Sequence, residues 1–210
     1  MIKVLLADDH PIMLDGLELI FEGEEDIEIV ERVTSAPAIH NYLKTCEQQV
    51  DIVFTDIKMP DLDEGLEIAE KIIQSKKYPQ THILFYSIRI DEAAVGKAIK
   101  MGAQGYLDKG CSGEEILSAI RTVAHNGESF FSEDVKKIVP AAIELMNNMP
   151  SAREREILTY LERGMKAEEI AKELFISVHT VRDHCKNLRE KYGASNTPEL
   201  LYILKQKGII

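Results

Sequence analysis

The sequence predicts an α/β module built on a parallel sheet, followed by a smaller all-α module. Three observations carry this. From the start to Asn126, short aliphatic runs alternate with longer amphipathic stretches, the pattern of strands joined by crossover helices. The runs IKVLLA and DIVFTD are almost continuously apolar, as strands covered on both faces must be. From Ser151 onward only helical periodicity remains.

In chain order the expected strands are Ile2–Ala7, Ile27–Val33, Asp51–Thr55, His82–Tyr86 and Gln104–Leu107. The stretches between them have helical spacing; Ile116, Leu117, Ile120, Val123 and Ala124 form one such stripe. Residues 127–149 carry a weaker signal. Pro140 interrupts SEDVKKIVPAAIELMNN, which reads as a partly helical linker. Ser151 and Glu154 then fit a capping box that opens a helix with Ile157, Leu158 and Leu161 inward. A short helix spans Lys166–Leu174. Ser177 caps a third, striped by Val178, Val181, Cys185, Leu188 and Tyr192, and a fourth runs from about Thr197 to Lys205 with Pro198 in its first turn. The expected organisation is 1–126, a linker at 127–149, and 150–210.

Of the 210 residues, 45% are hydrophobic, which supports a real core. No apolar run is long enough for a membrane-spanning helix, and MIKVLLADDH puts carboxylates where a secretory leader needs an apolar stretch. Cys46, Cys111 and Cys185 are widely spaced and form no CxxC pair, so reduced thiols in a cytoplasmic protein are expected rather than a disulfide framework or zinc site. The net charge of -11 is unevenly divided. Residues 1–147 hold 14 Lys/Arg against 27 Asp/Glu, whereas residues 148–210 hold 11 against 9. The acidic total therefore does not exclude nucleic acid, because phosphate binding depends on local charge.

Asp8 and Asp9 directly follow the first strand, Asp56 the third, and Lys109 the fifth, while Ser87 closes the fourth. Strand ends in open α/β sheets are where function gathers. Three neighbouring carboxylates repel unless a cation joins them, and an oxygen-only set suits Mg²⁺. A metal, a lysine and a spare carboxylate are equipment for a phosphoryl group: the carboxylate can attack phosphorus, and the cations can neutralise the transferring oxygens. In the helical module, His179, Arg182, Asp183, Lys186, Asn187 and Glu190 stand opposite the apolar stripe of the third helix. Arg, Lys and Asn are side chains that hold phosphates or read base edges, and a short helix, a tight turn and a longer polar helix make a helix-turn-helix.

LLADDH, VFTDIKMP, FYS and GYLDKG, in that order, resemble the receiver domain of two-component response regulators over about residues 1–126. The resemblance implies a flavodoxin-like five-stranded (βα)5 fold with Asp56 as phospho-acceptor. It further implies Mg²⁺ held by Asp9, Asp56 and the Lys58 backbone carbonyl, with Asp8 completing the acidic pair through water. Ser87, Tyr106 and Lys109 would be the switch residues, Ser87 moving toward the phosphoryl group and Tyr106 turning inward. SAREREIL and GMKAEEIAKELFISVHTVRDHCKNLREKYGA resemble the LuxR-type helix-turn-helix of NarL/FixJ response regulators, a small four-helix domain. That likeness implies Val181, Leu188 and Ile170 as core, Thr180, Arg182, Asp183, Lys186 and Asn187 facing DNA, and Lys191 near its backbone.

The chain also departs from these patterns. Gly65 stands five residues after Pro60 rather than four, which implies a longer loop beside the acceptor. Ile88 replaces a small residue after the switch hydroxyl and is expected to crowd the phosphoryl site, and Lys109-Gly110 replaces Lys-Pro. Pro150 replaces leucine and Asn196-Thr197 replaces Asn-Arg in the helical module. The expected protein is a phosphorylation-regulated transcription regulator, not an enzyme, that takes phosphate on Asp56 from a histidine kinase. It would pair as a homodimer through Leu200, Leu201, Ile203 and Leu204 of the last helix. Two alternatives stay open: a receiver-type regulator acting through protein contacts without phosphorylation, and an aspartyl-nucleophile phosphatase. The latter is disfavoured by Lys58, which stands where a second acid is usual.

Overall fold

The computed structural model describes residues 1–61, 63–75 and 77–210, which form two units, Met1–Met146 and Asn147–Ile210. In the first, β1 (Ile2–Ala7), β2 (Ile27–Val33), β3 (Ile52–Thr55), β4 (His82–Ser87), β5 (Gly105–Asp108) and β6 (Phe130–Phe131) form one parallel sheet in the order β2-β1-β3-β4-β5-β6. Between the first five strands and after β5 run α1 (Pro11–Phe21), α2 (Ala36–Thr45), α3 (Glu64–Ser75), α4 (Glu92–Met101) and α5 (Gly113–Asn126). Strand alternation divides the core in two. Leu5, Val53, Ile83, Phe85 and Tyr106 face α2, α3 and α4, whereas Leu6, Phe54, Leu84, Tyr86 and Leu107 face α1 and α5.

Register brings the strand ends together. Ala7 pairs with Thr55 and Ser87 with Asp108, so Asp8 lies beside Asp56 and Lys109 follows beside Ser87. The backbone extends both pairings by one bond: Asp56 N donates to Ala7 O at 3.0 Å and Lys109 N to Ser87 O at 3.1 Å. Lys109-Gly110 is trans, the one cis bond among the described residues being Met59-Pro60.

The sheet has six strands where the sequence pattern showed five. β6 is only two residues long, below the length at which alternation can be recognised, and it pairs Gly105 with Phe130 and Tyr106 with Phe131. The helix α6 (Glu133–Asn147) follows and continues through Pro140. Pro140 is exposed, so the bond its missing N–H removes lies on the solvent side, where water can take its place. The opposite face keeps its stripe: Val135 and Ala142 are buried in the same cluster as Ala94, Val95 and Ala98 of α4. The stretch read as a linker thus packs against the α4 side of the sheet.

The second unit has four helices, α7 (Ala152–Glu162), α8 (Ala167–Glu173), α9 (Val178–Tyr192) and α10 (Thr197–Gln206). The Ser151/Glu154 capping box forms on both sides even though Pro150 precedes it, and Asn196 caps α10 by accepting from Glu199 N. Val181, Leu188 and Ile170 are fully buried, as the stripe requires. Leu200 and Leu204 are buried as well, packed with Leu158 and Leu188. They hold the bundle together and are not surface, so the apolar patch expected of all four residues shrinks to partly covered Leu201 and Ile203 beside exposed Tyr202.

Candidate functional site

The acidic centre forms where the register places it. Asp8 and Asp56 are buried to 2% and 5% exposure, and the Lys109 ammonium sits between them, 2.6 Å from an Oδ2 of each. Both remaining oxygens are fixed by backbone. Asp56 Oδ1 accepts from Ile57 N at 2.6 Å and, more weakly, from Lys58 N at 3.4 Å, while Asp8 Oδ1 accepts from His10 N at 2.9 Å. Burial alone pulls the Lys109 ammonium down, but hydrogen bonds to Asp56 and Asp8 outweigh it and hold its pKa above the ordinary lysine value.

Asp9 stands at the mouth. Its Oδ1 is buried without a hydrogen-bond partner, although the His10 ring nitrogen approaches to 2.8 Å without the alignment of a bond. An orphaned carboxylate oxygen beside a second buried carboxylate fits a hard divalent cation. One ligand atom each from Asp8, Asp9 and His10 lies within 4.8 Å of the others. His10 was not anticipated; its signal was its place directly after the two aspartates. Asp56 stands outside that triad and is joined to Asp8 through the Lys109 ammonium instead.

Ser87 is buried and its Oγ accepts from Arg89 N at 3.3 Å. Ile88 is 80% exposed, so its side chain points away and does not crowd Ser87 here. Tyr106 is fully buried, its hydroxyl donating to the Arg89 carbonyl, and burial drives its phenol far above the usual range. Tyr106, the residue expected to turn inward, therefore already stands inward. Arg89, which no pattern singled out, pairs with Asp63 and with Asp91, and Lys97 joins Asp63 at 2.7 Å.

Gly65 sits tightly against the backbone of Asp56 and Ile57. Gly65 N donates to Ile57 O at 2.8 Å, and a Cβ on Gly65 would fall 1.9 Å from the Asp56 carbonyl oxygen. Asp63 adopts φ 70; Leu62 lies outside the described residues.

On α9, His179, Arg182, Asp183, Lys186 and Asn187 are exposed along one face and Thr180 is half-buried at its start. Several are engaged within the module: Arg182 with Glu168 at 2.6 Å, Asp183 with His179 at 3.4 Å, Lys186 with Glu190 at 3.7 Å. Lys191 donates to the Met149 carbonyl at 2.9 Å, so here it pins the start of the bundle. Among the described residues no helix is long and apolar enough to cross a membrane.

A lysine bridging two buried strand-end carboxylates, in one chain with an exposed polar helix of helix-turn-helix type, fits the class of regulators that join a receiver to a DNA-binding module. The response regulator receiver domain profile matches residues 4–121, and the profile of bacterial regulatory proteins of the luxR family matches residues 150–204. The chain belongs to the two-component response regulators with a LuxR-type helix-turn-helix. It is 33% identical to the oxygen regulatory protein NreC of Staphylococcus carnosus and 34% identical to that of Staphylococcus aureus, each over 98% of both chains. Among solved structures it resembles Salmonella typhimurium RcsB, with a TM-score of 0.69 at 24% identity over 98% of this chain and all of that one. It also resembles RcsB of Salmonella enterica serovar Typhimurium bound to promoter rprA in the presence of phosphomimetic BeF3⁻. There the TM-score is 0.64 at 25% identity, over 97% and 98% of the two chains.

Proposed function

We propose that Asp56 is the phospho-acceptor of this regulator, with a histidine kinase as donor and the cytoplasm as its compartment. The observation that carries this is the Lys109 ammonium held 2.6 Å from both Asp8 and Asp56. An oxygen of Asp56 attacks phosphorus, the bond from phosphorus to the donor breaks, and the leaving group departs with the electron pair. Lys109 then exchanges a carboxylate oxygen for a phosphoryl oxygen as its partner. Ser87, whose Oγ accepts from Arg89 N, would donate its hydroxyl to another. Asp9, Asp56 and the Lys58 carbonyl, with Asp8 through water, would hold Mg²⁺, which when bound neutralises charge on the transferring oxygens. Incubation with acetyl phosphate and Mg²⁺ is expected to add one phosphoryl group by intact mass. Asp56→Asn should add none, and equal labelling of that variant would refute the assignment.

The same reading takes 1–126 as receiver, 127–149 as connection and 150–210 as the DNA-binding domain. His179, Thr180, Arg182, Asp183, Lys186, Asn187 and Lys191 are its DNA-contact set. The module's near balance of charge favours two copies on adjacent half-sites, a homodimer, over one. Lys186→Ala should weaken binding about equally across DNA sequences and lower the salt slope by roughly one ion. Titrations at several salt concentrations measure this; an unchanged slope would place Lys186 off the phosphates.

One observation favours a second reading, regulation without phosphorylation. Tyr106 already stands inward, its hydroxyl on the Arg89 carbonyl. DNA binding indifferent to both acetyl phosphate and Asp56→Asn would select it.

A further inference from the structure

The residue before Ser87 touches Lys109 at both ends. Tyr86 faces the α1 and α5 side, opposite Tyr106, and its ring stacks on Phe54 with centroids 5.1 Å apart. The Lys109 ammonium lies 5.9 Å from the centre of that ring, within the range of a cation–π contact. The Tyr86 hydroxyl donates to the Lys109 backbone carbonyl at 3.2 Å. Burial pushes the phenol up to about 12, so the hydroxyl remains a donor at working pH. A lysine side chain is long and flexible, and its head finds one place only if something besides its ion partners holds it. Here the ring lies to one side of the ammonium and two carboxylates accept from it, while the hydroxyl and Ser87 O hold the main chain at the same residue.

We infer that Tyr86 is a positioning residue for phosphoryl transfer, aiming the Lys109 ammonium at the space beside Asp56 through its ring and its hydroxyl. The inference rests on the reading of Asp56 as acceptor. When an Asp56 oxygen bonds to phosphorus, Lys109 loses one of its two carboxylate partners in that form. The ring does not change and keeps the ammonium in place to meet the incoming phosphoryl oxygen. With acetyl phosphate, the phosphorus–oxygen bond to the acetyl group breaks and acetate leaves with the pair. Tyr86 gives up no proton and forms no bond; it acts through Lys109.

The test uses full-length wild type, Tyr86→Phe and Tyr86→Leu with acetyl phosphate and Mg²⁺, Asp56→Asn serving as blank. The first variant keeps the ring and removes the hydroxyl; the second removes both. Maximal labelling rate should fall about threefold in Tyr86→Phe and about tenfold or more in Tyr86→Leu, while half-saturation by donor and by Mg²⁺ stays within about twofold. The ¹⁵N-correlated NMR signal of the Lys109 ammonium gives a readout independent of turnover: its ring-current shift should persist in Tyr86→Phe and vanish in Tyr86→Leu. If wild type and both variants label equally fast, or if the Lys109 signal is the same in all three, the inference falls. A rate loss matched by an equal loss of Mg²⁺ binding also overturns it, since the effect would then be general disruption. If wild type takes no label, or Asp56→Asn takes as much, the reading beneath it has failed and the inference falls with it.

Discussion

Gly65→Ala is expected to cost the proposed acceptor site at Asp56 more than any other single added methyl group in the described chain. A Cβ there would stand 1.9 Å from the Asp56 carbonyl oxygen and 2.9 Å from both the Asp56 carbonyl carbon and the Ile57 Cα. All three atoms are backbone, so no side chain can swing aside. Either the start of α3 moves away, breaking the Gly65 N to Ile57 O bond of 2.8 Å, or the β3–α3 turn moves. The second route carries off the Ile57 and Lys58 amides that hold Asp56 Oδ1. A displacement of about 1 Å at reacting atoms can cost roughly a hundredfold in rate, and overpacking of this kind costs about 1–3 kcal/mol of stability. Urea unfolding and the rate of labelling by acetyl phosphate measure the two effects. Gly16 is the control: it lies within α1 with no atom beyond its chain neighbours and its own helical turns within 4 Å of an added Cβ, so Gly16→Ala should be neutral or slightly stabilising. A Gly65→Ala protein that labels as fast as wild type would show that the tight approach has no bearing on Asp56.

The contrast between these glycines shows what could be read from the chain and what could not. The offset of Gly65 from Pro60 was visible as a count, and it pointed to an altered loop. That the glycine still meets the Asp56 backbone, with Asp63 in the left-handed region before it, is a tertiary fact that no periodicity encodes. Asp8, Asp56, Ser87 and Lys109 were legible because each ends an apolar run, and parallel pairing turns strand ends into neighbours. The exposed face of α9 was legible for a similar reason, since its apolar stripe fixes which side is left over.

The failures have physical causes too. β6 is too short to alternate, and Pro140 looks like a helix breaker unless its solvent-facing position is known. The last helix shows Leu200, Leu201, Ile203 and Leu204 as one apolar group, but a helix turns about 100° per residue. Leu200 and Leu204, one turn apart, enter the core together, whereas Leu201 only packs against its edge and Tyr202 faces solvent. The inward Tyr106 and the Asp63–Arg89–Lys97 network join three separate loops and helices, so no local stretch of sequence announces them.

Lys109→Met should destabilise the protein and at the same time tighten its grip on a divalent cation. The side chain is 9% exposed and bridges two carboxylates that are 2% and 6% exposed. Methionine preserves much of the stem but leaves Asp8 and Asp56 facing each other without a counter-charge. Removing one partner of a buried ionic cluster typically costs about 3–5 kcal/mol, because the remaining charge stays desolvated. With the ammonium gone, a cation at Asp9 gains the attraction of both other carboxylates and no longer meets a competing positive charge. Unfolding measured without Mg²⁺ should therefore show a large loss, and the loss should shrink as Mg²⁺ is added, since a ligand that binds only the folded state stabilises it. The pH dependence has a definite sign. The wild-type lysine has its folded pKa raised, so its contribution is complete below the ordinary lysine pKa and fades as pH climbs through the folded value. The difference between wild type and Lys109→Met should accordingly narrow at strongly alkaline pH. On the proposed reading, labelling should fall despite tighter Mg²⁺, because the cation proposed to meet the phosphoryl oxygen is missing. A variant as stable as wild type without Mg²⁺ would mean that the two carboxylates do not depend on the ammonium, and the electrostatic account of this centre would have to be abandoned.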